Sequence, residues 1–178
     1  NPIVMGVSFL ALLYAGSYFT VYSYIEPFLE TVAHFSAQGI TWTLVFLGVC
    51  GIGGSAVFFR FYEARRQPVF YFELGAVLAV MVLFLPAASF RPTMLLCCMV
   101  FGMIFTMFGT TMQAELIRGC PQAAAPVAMA IYSGIFNVGI ASGTWLGGHL
   151  VSRDLLSYIG FAGAVLAVGA TLVALCFY

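Results

Sequence analysis

The sequence is 178 residues long, 63% hydrophobic and only 7% charged, and its six basic and six acidic side chains cancel to zero net charge. A soluble domain carries about 25% charged residues to hold its surface in water, and a disordered chain is poor in apolar ones, so both classes are excluded. Balanced charge also leaves no basic footprint for nucleic acid, and the composition is that of a membrane protein.

The charged residues fall in five places: Glu26 with Glu30; Arg60, Glu63, Arg65, Arg66 and Glu73; Arg91; Glu115 with Arg118; and Arg153 with Asp154. Each uncharged stretch between them holds one run of the ~20 apolar residues that cross a bilayer. In chain order the predicted spans are 3–25, 39–59, 69–85, 93–114, 126–150 and 156–177, giving an all-α bundle of six transmembrane helices. Pro68, Pro86, Pro92 and Pro121 are expected in the connecting loops and Pro126 in a first helical turn. Continuous apolar runs, rather than alternation over ~10-residue segments, argue against a transmembrane β-barrel.

The first span carries Tyr14, Tyr18, Tyr22 and Glu26 at intervals of four, which places them along one helix face. Pro27 cannot donate to the carbonyl of Ser23, so the helix is expected to break or kink beside Glu26. A carboxylate at a broken helix end can bind a proton or cation and change partners as the helix moves; tyrosine and glutamate are also ordinary residues of the membrane interface. In the third span Glu73 is expected to enter the headgroup zone and to pair with Arg65 or Arg66. At the inner end of the fourth span stand Gln113 and Glu115, with a local Glu115–Arg118 pair expected at the membrane surface.

The fifth span has a ridge of Gly139, Gly143 and Gly147, whose spacing allows two helix backbones to approach closely. Asn137 sits midway along it with Ser133 one turn before, and an amide at that depth needs a polar partner or a watery cavity. The second span ends in Gly51–Gly54 before Arg60 and Glu63, and the fifth in Gly147 and Gly148 before Arg153 and Asp154. That likeness is expected if the six helices form two inverted three-helix repeats.

Cys50, Cys97, Cys98, Cys120 and Cys176 have no metal-ligand or redox spacing, and four of them fall in spans, where cysteine packs as a small hydrophobe. His34 and His149 read as interfacial polar residues. No nucleophile–base pair, phosphate-cradling loop or hydrolytic carboxylate pair is present, so neither an enzyme nor a cofactor or metal is expected. The second and fourth loops hold Arg60, Arg65, Arg66 and Arg118, against Arg91 and Arg153 in the others, which predicts that these loops and both ends of the segment face the cytoplasm. Asn1-Pro2 leads straight into an apolar run without initiator Met or basic region, from which upstream sequence is expected.

Two segments carry a family resemblance. Tyr22-Ser23-Tyr24-Ile25-Glu26-Pro27-Phe28 followed by Phe35-Ser36, and Val127 through Ile140 (VAMAIYSGIFNVGI), resemble bacterial sugar efflux transporters of the drug/proton antiporter branch of the major facilitator superfamily. Tyr158 through Ala164 is similar as well. The resemblance covers nearly the whole chain but only the family's C-terminal half, helices seven to twelve. It implies a bacterial inner-membrane protein of twelve helices and proton-driven export of a sugar or related small molecule by alternating access. The substrate would lie between this chain and an N-terminal six-helix half. On that basis Tyr18, Tyr22, Gln113, Ser133 and Asn137 become candidate substrate contacts and Glu26 the candidate proton-coupling residue. The loop from Gly54 to Arg66 departs from the family's Gly–Asp–Arg–Gly–Arg signature: the arginines are present, the Asp and second Gly are not. Alternatives are export of drugs or metabolites by the same fold, or a complete six-helix scaffold or channel.

Overall fold

The apolar runs fold as helices throughout. The computed structural model describes residues 2–177, and Asn1, where upstream sequence was expected to join, lies outside them. Seven α-helices follow one another: α1 (Pro2–Tyr22), α2 (Ile25–Thr31), α3 (Ala37–Phe61), α4 (Arg66–Ala87), α5 (Arg91–Arg118), α6 (Ala125–Val151) and α7 (Ile159–Phe177). Single 3-10 turns at Gln122–Ala124 and Leu156–Tyr158 lead into α6 and α7, and no strand occurs among the described residues. Taking α1 and α2 as one interrupted span, six segments are long and apolar enough to cross a membrane. The chain is accordingly read as a multi-pass membrane protein.

The helix ends depart from the sequence reading where proline was taken as a boundary. Pro68 falls in the first turn of α4 and Pro86 in its last, so the helix runs past both. A first-turn proline lacks only an N–H that has no intrahelical partner anyway. At ~1.5 Å per residue the 22 residues of α4 reach about 33 Å, enough for a full span. Glu73 therefore sits about 10 Å inside the helix start. Likewise α5 continues past Ala114 to Arg118, which carries Glu115 within the helix. The first span breaks at Ser23–Tyr24, two residues before the expected point, and resumes with Glu26 and Pro27 in the first turn of α2.

The break is fastened to α6. Ser23 Oγ and Thr144 Oγ1 lie 2.9 Å apart, and Tyr24 Oη donates to the Thr144 carbonyl at 3.1 Å. Below it α1 runs along the glycine ridge of α6. A Cβ on Gly139 would lie 2.5 Å from the Leu12 carbonyl oxygen, one on Gly147 would lie 2.7 Å from that of Thr20, and one on Gly143 would strike the Gly16 carbonyl. Leu12, Gly16 and Thr20 share the ridge's four-residue spacing, so two matching rows meet backbone to backbone. A second close pair, α3 on α5, uses Gly102 against Leu47 and Gly54 against Met103.

α1 is the most buried of the spans and packs against α6 and α7; α5 packs against α3 and α4; α4 also meets α7, and α1 touches α5. Large apolar side chains remain exposed on the outer faces, among them Phe46, Ile52, Val138, Trp145 and Val165. A helix with apolar residues all round is one that meets hydrocarbon or other helices on every side.

Candidate functional site

Between α5 and α6 lies an open cleft of about 370 Å³. From α5 it takes Phe105, Thr106, Gly109, Thr110 and Gln113, and from α6 Met129, Tyr132, Ser133, Phe136 and Asn137. Both sets recur at three- and four-residue intervals, which is what lining by one face of each helix requires. Gln113, Ser133 and Asn137, singled out from sequence as polar groups in apolar spans, are thus brought to one cleft, and all three are exposed. Asn137 Nδ2 donates to the Ser133 carbonyl of its own helix at 2.7 Å, which leaves its Oδ1 available as an acceptor. Thr110 Oγ1 donates back to Thr106 O at 2.8 Å. Such back-bonding satisfies the hydroxyl proton at membrane depth while the oxygen can still accept. The cleft therefore offers hydroxyls and amides between aromatic walls, the surface on which a polyhydroxylated ring can both hydrogen-bond and stack.

Sequence reasoning missed Thr106, Thr110 and Tyr132. The signal was present: Thr106, Thr110 and Gln113 stand at i, i+4 and i+7, as Met129, Tyr132, Ser133, Phe136 and Asn137 repeat helical spacing on α6. The Tyr132 hydroxyl is buried and has no hydrogen-bond partner. Leaving such a group unpaired costs about 1–3 kcal/mol.

The tyrosine stripe of α1 faces α5. The Tyr14 ring lies 4.1 Å from that of Phe108, and Tyr18 stacks 4.3 Å from Phe101 and 3.6 Å from Phe105. Tyr18 is buried and Tyr22, stacked on it at 5.1 Å, is partly exposed. Phe105 is shared with the cleft, so Tyr18 and Tyr22 form an aromatic column behind its wall rather than part of its lining. Glu26 lies elsewhere: it is exposed, and with Glu30 of α2 it borders a separate depression against Ile40, Thr41 and Leu44 of α3.

Two carboxylates have partners different from those expected. Glu115 is 2% exposed and does not pair with Arg118. It accepts two hydrogen bonds from the Arg66 guanidinium and one from the Tyr62 hydroxyl, joining the ends of α3, α4 and α5. Three residues further along, Arg118 points outward, pairs with Glu63 and lies with its guanidinium carbon 5.7 Å from the Tyr62 ring centre. Tyr62, outside the spans, has its hydroxyl pKa pushed up by burial and by the hydrogen bond to the Glu115 carboxylate. Glu73 does not reach Arg65 or Arg66. It is fully buried and accepts one hydrogen bond, from Thr111 Oγ1 at 2.9 Å, while its Oε2 has no partner. At the opposite end of the bundle Arg91 donates to the His34 carbonyl at 2.8 Å, tying the loop after α2 to the start of α5.

No protein-family model matches the chain. Among curated proteins it is 36% identical over 168 residues to a probable sugar efflux transporter of Pasteurella multocida (strain Pm70). The match takes in 94% of this chain but 41% of that protein, so the chain spans less than half the length of the relative it matches.

Proposed function

We propose that the chain is the C-terminal six-helix half of a major facilitator transporter. Together with an N-terminal half it would export sugars or related small molecules across the bacterial inner membrane, driven by protons, by alternating access. The observation that carries this reading is the cleft of Gln113, Ser133 and Asn137 in a chain whose relative is named a probable sugar efflux transporter. On this reading the cleft is one wall of the substrate cavity, backed by the Tyr18–Tyr22 column, and the other half closes it. Glu26, beside the break between α1 and α2, is the carboxylate assigned to proton handling at the outer end. The arginine-rich end holding Arg66 and Arg118 faces the cytoplasm, as do both ends of the segment.

Helix packing supports two inverted three-helix repeats. Exchanging the first three spans with the last three carries the α1–α6 pair onto α5–α3 and the α1–α7 pair onto α5–α4, and leaves α4–α7 and α1–α5 unchanged.

The test is export of a panel of sugars and drugs by the full-length protein in proteoliposomes, with and without an imposed proton gradient. Gradient-dependent sugar export is expected. Export of drugs alone would transfer the same cleft to a multidrug exporter, and export of nothing would overturn the transport reading.

A further inference from the structure

Glu73 was expected in the headgroup zone, yet it is fully enclosed within this bundle. Its surroundings are complete here, because they come from helices of this chain alone. On α5, Thr111 gives it one hydrogen bond and Glu115 lies one turn further on. On α1, the buried Tyr14 hydroxyl donates to the Ile104 carbonyl of α5 at 3.4 Å. On α7, which also packs on α4, Cys176 near the far end is the one ionisable side chain between Ile159 and Phe177. On α4 itself Arg66, two turns earlier, is engaged by Glu115. Among the described residues no cation therefore lies within ion-pair distance of Glu73, and its Oε2 finds no donor.

A carboxylate anion in that position would be a buried, uncompensated charge, which hydrocarbon-embedded proteins do not tolerate. A carboxylic acid is neutral, and its O–H removes one lone pair from the unmatched acceptors. Ionisable groups held inside a helix bundle, facing its interior, are the groups that proton relays use. We propose that Glu73 is a proton-binding site: it holds a proton in the conformation described here and gives it up to water when α4 and α5 move apart in the transport cycle. The proton sits on Oε2, the oxygen that has no donor. Thr111, bonded to the other oxygen, positions the carboxyl. The proposal rests on the transport reading above for its role in the cycle, and on Glu73's own surroundings for its protonation.

The experiment uses the full-length protein and two readouts. In infrared difference spectra taken across a pH titration, the carbonyl stretch of a protonated carboxylic acid is expected near neutral pH and disappears in Glu73→Gln. In proteoliposomes Glu73→Gln should lose gradient-driven accumulation of the transported sugar tenfold or more while retaining exchange of that sugar between the two sides. Glu73→Asp, which keeps an acid, should recover part of the accumulation, and it covers the case in which the amide variant fails to fold. Unchanged accumulation in Glu73→Gln overturns the proposal, as does the absence of any carboxylic-acid band lost with Glu73. Failure of the unmodified protein to respond to a proton gradient overturns the proton-driven reading instead, and the infrared band then decides for Glu73 by itself.

Discussion

Two buried carboxylates lie close together in this bundle and are treated in opposite ways. Glu115, on α5, meets a guanidinium that donates twice and a tyrosine that donates once, at the end of the bundle where α3, α4 and α5 converge. Glu73, on α4, meets one threonine hydroxyl, and its second oxygen has no donor. The first arrangement stabilises an ion: bidentate charge-assisted bonds match a planar guanidinium to a carboxylate and fix three helix ends in register. The second cannot hold an ion without a large penalty, so it suits a group whose charge state changes. A membrane bundle thus uses the same residue type as a structural clasp and as a titratable site, and the count of donors separates the two uses.

That difference can be broken or sharpened by substitution. The largest effect is expected for Arg66→Ala, which leaves Glu115 buried with Tyr62 as its donor. Breaking a buried pair costs about 3–5 kcal/mol, but Arg66 is 43% exposed and water replaces part of what is lost, so a loss of about 2 kcal/mol is expected in detergent unfolding. Loss of less than about 0.5 kcal/mol would show that the clasp is dispensable.

Tyr62→Phe comes next. It removes one donor from Glu115 and should cost about 1 kcal/mol near neutral pH. Because the folded Tyr62 pKa is raised, the native state resists ionising the phenol while the unfolded chain ionises it above about pH 10. This part of the stability is present below that pH and is lost as pH rises beyond it. Unfolding midpoints of the unmodified protein should therefore fall more steeply on the alkaline side than those of Tyr62→Phe; parallel curves would contradict the assignment.

The smallest effect is expected at Glu73. If the side chain is a neutral acid, Glu73→Gln exchanges one neutral group for a near-isosteric other, and stability at pH 7 should stay within about 0.5 kcal/mol. A loss comparable to that of Arg66→Ala would mean that Glu73 is ionised and paired, and the contrast between the two carboxylates would fail.

Much of the architecture was legible in the residues because it is local. Charge-free runs of sufficient length locate six spans, and the Gly139–Gly143–Gly147 spacing foretells a backbone-to-backbone contact, though not that Leu12, Gly16 and Thr20 receive it. Gln113, Ser133 and Asn137 stood out as polar groups in apolar segments, whereas Thr106, Thr110 and Tyr132 were missed although they share the same helical period. The proline boundaries misled because Pro68 in the first turn of α4 loses no intrahelical bond and Pro86 comes only at that helix's end, so α4 runs past both, as α5 runs past Ala114 to include Glu115. The pairing of acids was not legible at all. Glu115 and Arg66 are 49 residues apart, and Glu73 and Thr111 are 38 apart, so their partners depend on how α4 and α5 are rotated against each other. Local charge spacing favoured Glu115–Arg118, and tertiary packing overrode it.

The account depends most on the cleft between α5 and α6 being a substrate surface, and Ser133 offers direct access to it. In a full-length background from which the five native cysteines of this segment and any elsewhere have been removed, Ser133→Cys should react with a water-soluble thiol reagent. A transported sugar should slow that reaction severalfold, with a concentration dependence that follows its transport. A thiol at residue 133 that is inaccessible, or that reacts at the same rate with and without every transported substrate, would contradict the placement of substrate in this cleft.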